Sequence, residues 1–231
     1  MPLAPAHPAA VLPLSRLGLA LSALVVGAVA PDAPVYLPVG VSYATTHSWQ
    51  GLPVVVAIGL LVLWLWFALL RDAVVDLTPW LRRRVPARAR LSRRAWLLAP
   101  LSVGIGAGTH VLWDSATHDW GFIVRDIAVL GEEYGPIPLY RWLQHVSTVV
   151  GSVVVAAYGV RRLGRRPVVP RPPAVPRPGL WLAPIPLTAI IVGISLRDPE
   201  AAVGAALLAL LGVAIVWRST RQADTGTSLG S

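Results

Sequence analysis

Residues 109 to 118 read THVLWDSATH, in which His110, Asp114 and His118 stand four apart. Positions i and i+4 lie one above the other on an α-helix, so an imidazole and a carboxylate at this spacing can point at one ion together. His118 continues that face if the helix persists. Further candidates are His47 in TTHSWQG, His145 in RWLQHVST, His7 near the start and Asp32 in VAPDAP. The chain has no Cys, which excludes disulfides and thiolate coordination. A metal here therefore takes imidazole, carboxylate and water, a donor set that suits zinc or another borderline divalent ion such as manganese or iron. The competing reading is a polar helix end, in which histidine tolerates an interface and Asp114 and Asp119 cap or solvate the last turn.

The elements that must carry these groups are apolar. A mean hydropathy of +0.63 with only 13% charged residues over 231 positions excludes an ordinary soluble domain and implies an integral membrane protein. Segments 51–70, 96–113, 142–160, 180–196 and 201–217 are long or apolar enough to be read as crossing helices, several with Trp near an end as interfaces favour. The fold class expected is all-α, a polytopic transmembrane helical bundle of about five or six membrane segments. The chain divides into a membrane-embedded domain over 1–160 carrying the site, an Arg/Pro-rich linker over 161–179, a helical hairpin over 180–217 and a polar tail over 218–231 expected to be disordered.

All twenty basic residues are Arg. Eight fall within 71–94, six within 161–177, and two more at Arg218 and Arg221, so sixteen of the twenty gather on one side of the expected spans. By the positive-inside rule these linkers and the C-terminus face the cytoplasm of a multi-pass cell-membrane protein. The clusters read as topogenic charge and as attraction to anionic lipid, not as a nucleic-acid surface. THVLWDSATH then faces outward, as do Asp32, His47 and the end of the span that His145 opens. Ionisable groups at membrane depth usually face a bundle interior or a water-filled cavity, and their convergence on one side points to a shared polar site.

The first thirty residues allow three readings: a signal peptide ending at Ala28-Val29-Ala30, one spanning helix over 9–29, or a re-entrant hairpin broken near Pro13 to Gly18. The hairpin is the reading adopted, because it alone brings His7 near Asp32.

HPAAVLPLSRLGLALSALVVGAVAPD, THSWQG, THVLWDSATH and QHVST, in that order, resemble the motifs of an uncharacterised bacterial polytopic membrane-protein family of unknown function. That family is distantly similar to membrane-bound metal-dependent hydrolases and, through them, to the zinc-dependent phospholipase C and P1 nuclease superfamily. The resemblance covers about residues 1–160. It implies a ligand set of His7, Asp32, His47, His110 and Asp114, with His118 and His145 as the later histidines, and Asp114 as a bridging carboxylate. Two departures reduce the expected metal count from three to one or two. Val149 stands where the soluble relatives have a Glu ligand, and no processed N-terminal amine is evident beside the site.

The function implied by the resemblance is metal-assisted hydrolysis of a phosphoester or lipid-like substrate at the outward membrane face, with Asp32 and Asp114 as the catalytic carboxylates and zinc as the expected ion. Glu132 and Glu133 in GEEYGPIP are further acid/base candidates, but a solvated loop is the favoured reading of them. The rival is a non-catalytic membrane protein whose His/Asp cluster is structural or only binds metal. A transporter is a third reading, but no inverted repeat of the kind many carry is visible. Membrane lipid is the expected partner.

Overall fold

The computed structural model describes residues 6–227. It is helical almost throughout, as expected. The order begins with α1 (Pro8–Val11), a 3-10 turn (Pro13–Leu17), α2 (Leu21–Val29), α3 (Ala33–Tyr36) and α4 (Tyr43–Thr46). A long helix follows as α5 (Leu52–Leu65), a π-helical turn (Trp66–Leu70) and α6 (Arg71–Leu77). Then come α7 (Pro79–Arg82), α8 (Arg93–Leu97), α9 (Ala99–Thr117), α10 (Phe122–Asp126) and α11 (Ala128–Gly131). Strands β1 (Glu133–Tyr134) and β2 (Ile137–Pro138) form an antiparallel ribbon, the one sheet among the described residues. The chain closes with α12 (Leu139–Gly164), α13 (Pro184–Leu196) and α14 (Pro199–Thr227).

Among the described residues, four helices are long and apolar enough to cross a membrane: Leu52–Leu77, Leu139–Gly164, Pro178–Leu196 and Pro199–Arg221. Little of each is buried by protein. Rows of exposed apolar side chains, such as Val146, Val149, Val150 and Val153 on α12, suit contact with lipid. The span expected over 96–113 behaves differently. It becomes α9, whose inner face buries Ser102, His110, Asp114 and Ser115 beside Val103, Ala107 and Val111. These polar groups dilute its apolarity, and α9 is the internal helix of its unit rather than a fifth lipid-facing one. The final helix carries on to Thr227, so residues 218–227 are helical where composition suggests a disordered tail; residues 228–231 of that tail lie outside the described residues.

The chain forms two compact units, residues 1–63 with 91–160 and residues 64–90 with 161–231. Residues 64–90, expected to belong with the site, thus group with the C-terminal part of the chain.

In the first unit the N-terminus takes the hairpin form. Pro8 and Pro13 each open a short helical turn, where a missing N–H costs nothing. Gly18 ends the second turn in the left-handed conformation (φ 77°) that glycine adopts without strain, and the chain returns as α2. Val11, Leu24 and Ala28 form its core, with Leu14 and Ile105 against them. The contact of α2 with α9 is unusually close. A Cβ on Gly27 would fall on the Val103 carbonyl, and one on Gly106 would fall on the backbone of Leu24 to Ala28. Small residues at such crossings let two backbones meet where lipid supplies no hydrophobic driving force.

The second unit packs Ala73, Leu77, Val175, Ala214 and Trp217 together. At its centre the buried Asp76 carboxylate accepts the Ala174 N–H (3.1 and 3.2 Å) and the Trp217 indole N–H (3.0 Å), tying three distant segments. Buried Arg71 donates to Asp72 (2.6 Å) and to the Pro86 and Ala87 carbonyls (2.8 and 3.1 Å). Asp198 caps α14 by accepting from the Glu200 and Ala201 N–H groups (2.8 and 3.1 Å).

Two outcomes follow for stability in detergent. Asp76→Ala leaves two buried donors unpaired, costs about 2 kcal/mol and lowers the melting midpoint by roughly 4–8 °C. Gly106→Ala overpacks the α2–α9 crossing at a cost of roughly 1–3 kcal/mol, whereas Gly104→Ala, whose Cβ would meet only the Val56 side chain at 3.6 Å, is neutral or stabilising. Equal melting of the two glycine variants would contradict the close crossing.

Candidate metal centre

Three parts of the first unit deliver the site. The α2–α9 crossing places the Ala28 carbonyl 2.8 Å from His110 Nδ1. That nitrogen must carry the proton, which leaves the lone pair on Nε2 facing inward. His47, at the C-terminal end of α4, is held the same way: its Nδ1 lies 3.1 Å from the Tyr43 carbonyl and 3.2 Å from Thr46 Oγ1, and the Tyr43 ring stacks on it at 3.7 Å. Backbone carbonyls that fix a ring's tautomer are the usual support of a metal-binding histidine. Asp32 ends a 3-10 turn (Ala30–Asp32) that follows α2, and Asp114 lies one turn beyond His110 on α9.

The inward-facing atoms meet at one place. His47 Nε2 lies 3.2 Å from His110 Nε2, 3.4 Å from Asp32 Oδ1 and 3.5 Å from Asp114 Oδ2. His110 Nε2 lies 3.6 Å from Asp32 Oδ1 and 3.4 Å from Asp114 Oδ2. Most of these separations are too long for good hydrogen bonds. They match the edge of a tetrahedron around zinc, which bonds of about 2.0–2.15 Å set at roughly 3.3–3.5 Å. Around the two histidines the donors therefore fit a divalent ion better than they fit one another. Among the described residues, two groups have the closeness a metal needs: Asp32 with His47 and His110, and His7 with His110 and Asp114. They share His110, whose one available lone pair serves one ion.

Asp114 has a second side. Its Oδ1 is buried without a hydrogen-bond partner, and so is His7 Nε2, 3.6 Å away. His7 stacks on His110 with ring centroids 3.8 Å apart. A buried acceptor and a buried ring nitrogen left unpaired are costly, and they sit where a second ligand or ion would satisfy both. The reach of His7 into the site depends on the Gly18 hairpin.

Of the residues expected at the site, His7, Asp32, His47, His110 and Asp114 are brought together and buried. His118 is adjacent but engaged. Its Nδ1 faces the Asp114 carbonyl (3.2 Å) and its Nε2 faces Gln144 Nε2 (3.0 Å), so it supports Asp114 from outside the ligand cluster. His145 does not reach the site, a correction to its place as a ligand. It is exposed, and the buried side chain at this turn of α12 is Gln144. One residue along a helix turns the side chain by about 100°, enough to exchange ligand support for exposure. Glu132 and Glu133 are exposed on the β-ribbon, outside the ligand groups. Gln144, Tyr43 and Trp120, which stacks on His118 at 5.2 Å, were not legible as site residues, since amide and aromatic side chains carry no ligand signal of their own.

Burial acts to lower the His47 imidazole, but the polar contacts and charges of Asp114 and Asp32 outweigh it and hold it up to about 9. Without metal His47 is then protonated at neutral pH, and an entering ion must displace that proton. Metal affinity accordingly rises with pH until about 9 and weakens below it. Zinc added to metal-stripped protein in weak buffer at pH 7 should release a proton that His47→Ala does not release. Equal release from both proteins would contradict this arrangement.

No curated protein and no solved structure matches the chain. The distant similarity to metal-dependent hydrolases therefore gains no support from these comparisons. The family model described as Domain of unknown function (DUF4184) matches residues 1–223, nearly the whole length, and the chain belongs to that family.

Proposed function

We propose that this chain is a multi-pass membrane protein that holds a divalent ion, zinc by its donor chemistry, and uses it to hydrolyse a phosphoester of a lipid-like substrate. The observation that carries the reading is the set of separations of 3.2 to 3.6 Å that His47 and His110 keep from each other and from Asp32 and Asp114, spacings suited to metal ligands. A bound divalent cation supplies Lewis acidity, polarising an ester oxygen and acidifying water. The chain's own residues do the rest. His110 and His47 hold the ion through tautomers set by backbone carbonyls. Asp114 presents its second oxygen and His7 to whatever binds beside the ion. Asp32, whose side chain is 10% exposed against 2% for Asp114, is the carboxylate open enough to take up a proton. With the Arg-rich linkers cytoplasmic, the site lies toward the outward face, where a lipid phosphoester is within reach.

A second reading has its own support. The candidate ligands are buried side chains of the protein itself, and zinc sites closed by protein ligands are usually structural, whereas catalytic ones keep a position open. On that reading the ion fastens α9 to the segment before α5 and no turnover occurs.

Protein purified in detergent should carry about one zinc per chain, measured by elemental analysis, and His110→Ala and Asp114→Ala should each lose it. Phosphoester hydrolysis should vanish with a chelator and return with zinc. Metal that survives both substitutions overturns the site. Metal lost on substitution from a protein with no hydrolysis on any phosphoester lipid selects the structural reading.

A further inference from the structure

The second unit holds a cavity of about 470 Å³, within the size range of small-ligand sites, whose charged lining is all of one sign. Arg82, Arg83 and Arg84, at the end of α7 and in the turn after it, share it with Arg166 and Arg171 from the Pro-rich segment that follows α12. No carboxylate lines the cavity, and none of these arginines is in an ion pair among the described residues. Asp72 and Asp76, the acidic residues of α6, are engaged elsewhere: Asp72 with Arg71 and Arg90, Asp76 with the Ala174 and Trp217 N–H groups.

Topogenic charge needs no fixed geometry, and this cavity has one. Arg82 donates through Nε to the Arg171 carbonyl (3.1 Å), 89 positions away, and through a terminal nitrogen to the Asp76 carbonyl (2.6 Å). The Val169 N–H donates to the Arg83 carbonyl (2.8 Å). These bonds clamp the two segments and hold their remaining arginines around one space. Arg84 is fixed differently. Its guanidinium lies 5.0 Å from the centre of the Trp80 ring, a cation–π contact that covers a face and leaves the N–H edges. Its contact with the Trp80 carbonyl is long at 3.4 Å and its Nε is buried without an acceptor, so its hydrogen-bonding capacity is largely unused. Guanidinium groups gathered this way repel one another, and an anion in the cavity relieves that repulsion.

We infer that this cavity binds a diphosphate group, held by Arg83, Arg84, Arg166 and Arg171, with Arg82 positioning the two segments. Planar guanidinium forks match pairs of phosphate oxygens. A single phosphate engages fewer forks than the cavity offers and leaves the other charges uncompensated, whereas two linked phosphates present oxygens to all of them. With no carboxylate in the lining, arginine holds the anion directly, without a bridging divalent ion. Val85 and Val169 give the same cavity an apolar patch, room for the rest of a larger ligand. The diphosphate reaches the cavity either as a soluble anion or as the head of an isoprenoid lipid, and both present the same oxygens. The two segments follow helices long and apolar enough to cross a membrane, Leu52–Leu77 and Leu139–Gly164, so on the positive-inside reading the ligand comes from the cytoplasmic side. None of this depends on the metal-centre reading.

The test uses the full chain in nanodiscs of zwitterionic phosphatidylcholine, titrated calorimetrically with sodium pyrophosphate in magnesium-free buffer. About one pyrophosphate per chain should bind, roughly tenfold or more tightly than orthophosphate. Arg84→Lys combined with Arg166→Lys keeps the topogenic charge but removes two forks, and should weaken pyrophosphate about tenfold. Arg93→Lys combined with Arg165→Lys, neither of which lines the cavity, should leave the affinity unchanged. In the unaltered protein pyrophosphate should protect Arg83, Arg166 and Arg171 from phenylglyoxal while Arg165 still reacts, a readout by mass spectrometry that holds even where the lysine variant fails to fold. No binding, equal affinity for the two anions, equal weakening by the control pair, or protection that extends to Arg165 overturns the inference. Geranyl diphosphate separates the two sources: binding tighter than pyrophosphate upholds the diphosphate site and assigns a lipid-borne ligand, and equal or weaker binding upholds it and assigns a soluble one.

Discussion

The close crossing of α2 and α9 is the constraint on which the first unit depends. Among apolar helices in lipid, burying one leucine against another gains little, because the acyl chains are equally apolar, and association rests on dense packing and hydrogen bonds between helices. Gly27 and Gly106 remove the side chains that would hold the two backbones apart. The Ala28 carbonyl then comes within 2.8 Å of His110 Nδ1. That contact selects the tautomer, and the tautomer turns the His110 lone pair towards His47, Asp32 and Asp114. A packing device thereby becomes an electronic one.

The two units treat a buried carboxylate in opposite ways. Asp76 is surrounded by donors, with two backbone contacts and an indole N–H accounting for its oxygens, and it serves as a fastener. Asp114 is buried as deeply, yet one oxygen has no hydrogen-bond partner and its neighbours are imidazoles at 3.4 to 3.8 Å. The first carboxylate is fully satisfied, whereas the second keeps an oxygen available for a ligand, as the proposed function requires. The same contrast separates His118, both of whose ring nitrogens are engaged, from His7, whose Nε2 is free.

Much of this was legible in the chain itself. The long helices followed from apolar length, and His110 with Asp114 followed from helical spacing. The hairpin followed from Pro13 and Gly18, and with it the nearness of His7. What failed to show was anything that depends on rotation about a helix axis. His145 and Gln144 differ by one position, and composition favours the histidine as a ligand, but the packing of α12 turns the glutamine inward. The segment over 96–113 is apolar enough on average to be read as a span, and only its neighbours show that its polar residues share one buried face. Residues 64–90 are separated from 161–231 by a long stretch of chain and joined to them through Asp76, a link with no signature in either segment.

The sequence by itself determined the helical class, the lack of thiolate chemistry, and a donor set of histidines and aspartates placed near helix ends. Those properties are set by residue type and local periodicity, which a linear reading contains. The tertiary structure decided which donors meet. Convergence of His7, Asp32, His47 and Asp114 on His110 joins a hairpin, a turn, a helix end and an internal helix across more than a hundred residues of chain. It is fixed by backbone contacts at Gly27 and Gly106 that leave no periodic trace. Whether an imidazole is a ligand, a support or a surface group depends on where its two nitrogens point, and that direction is a property of packing.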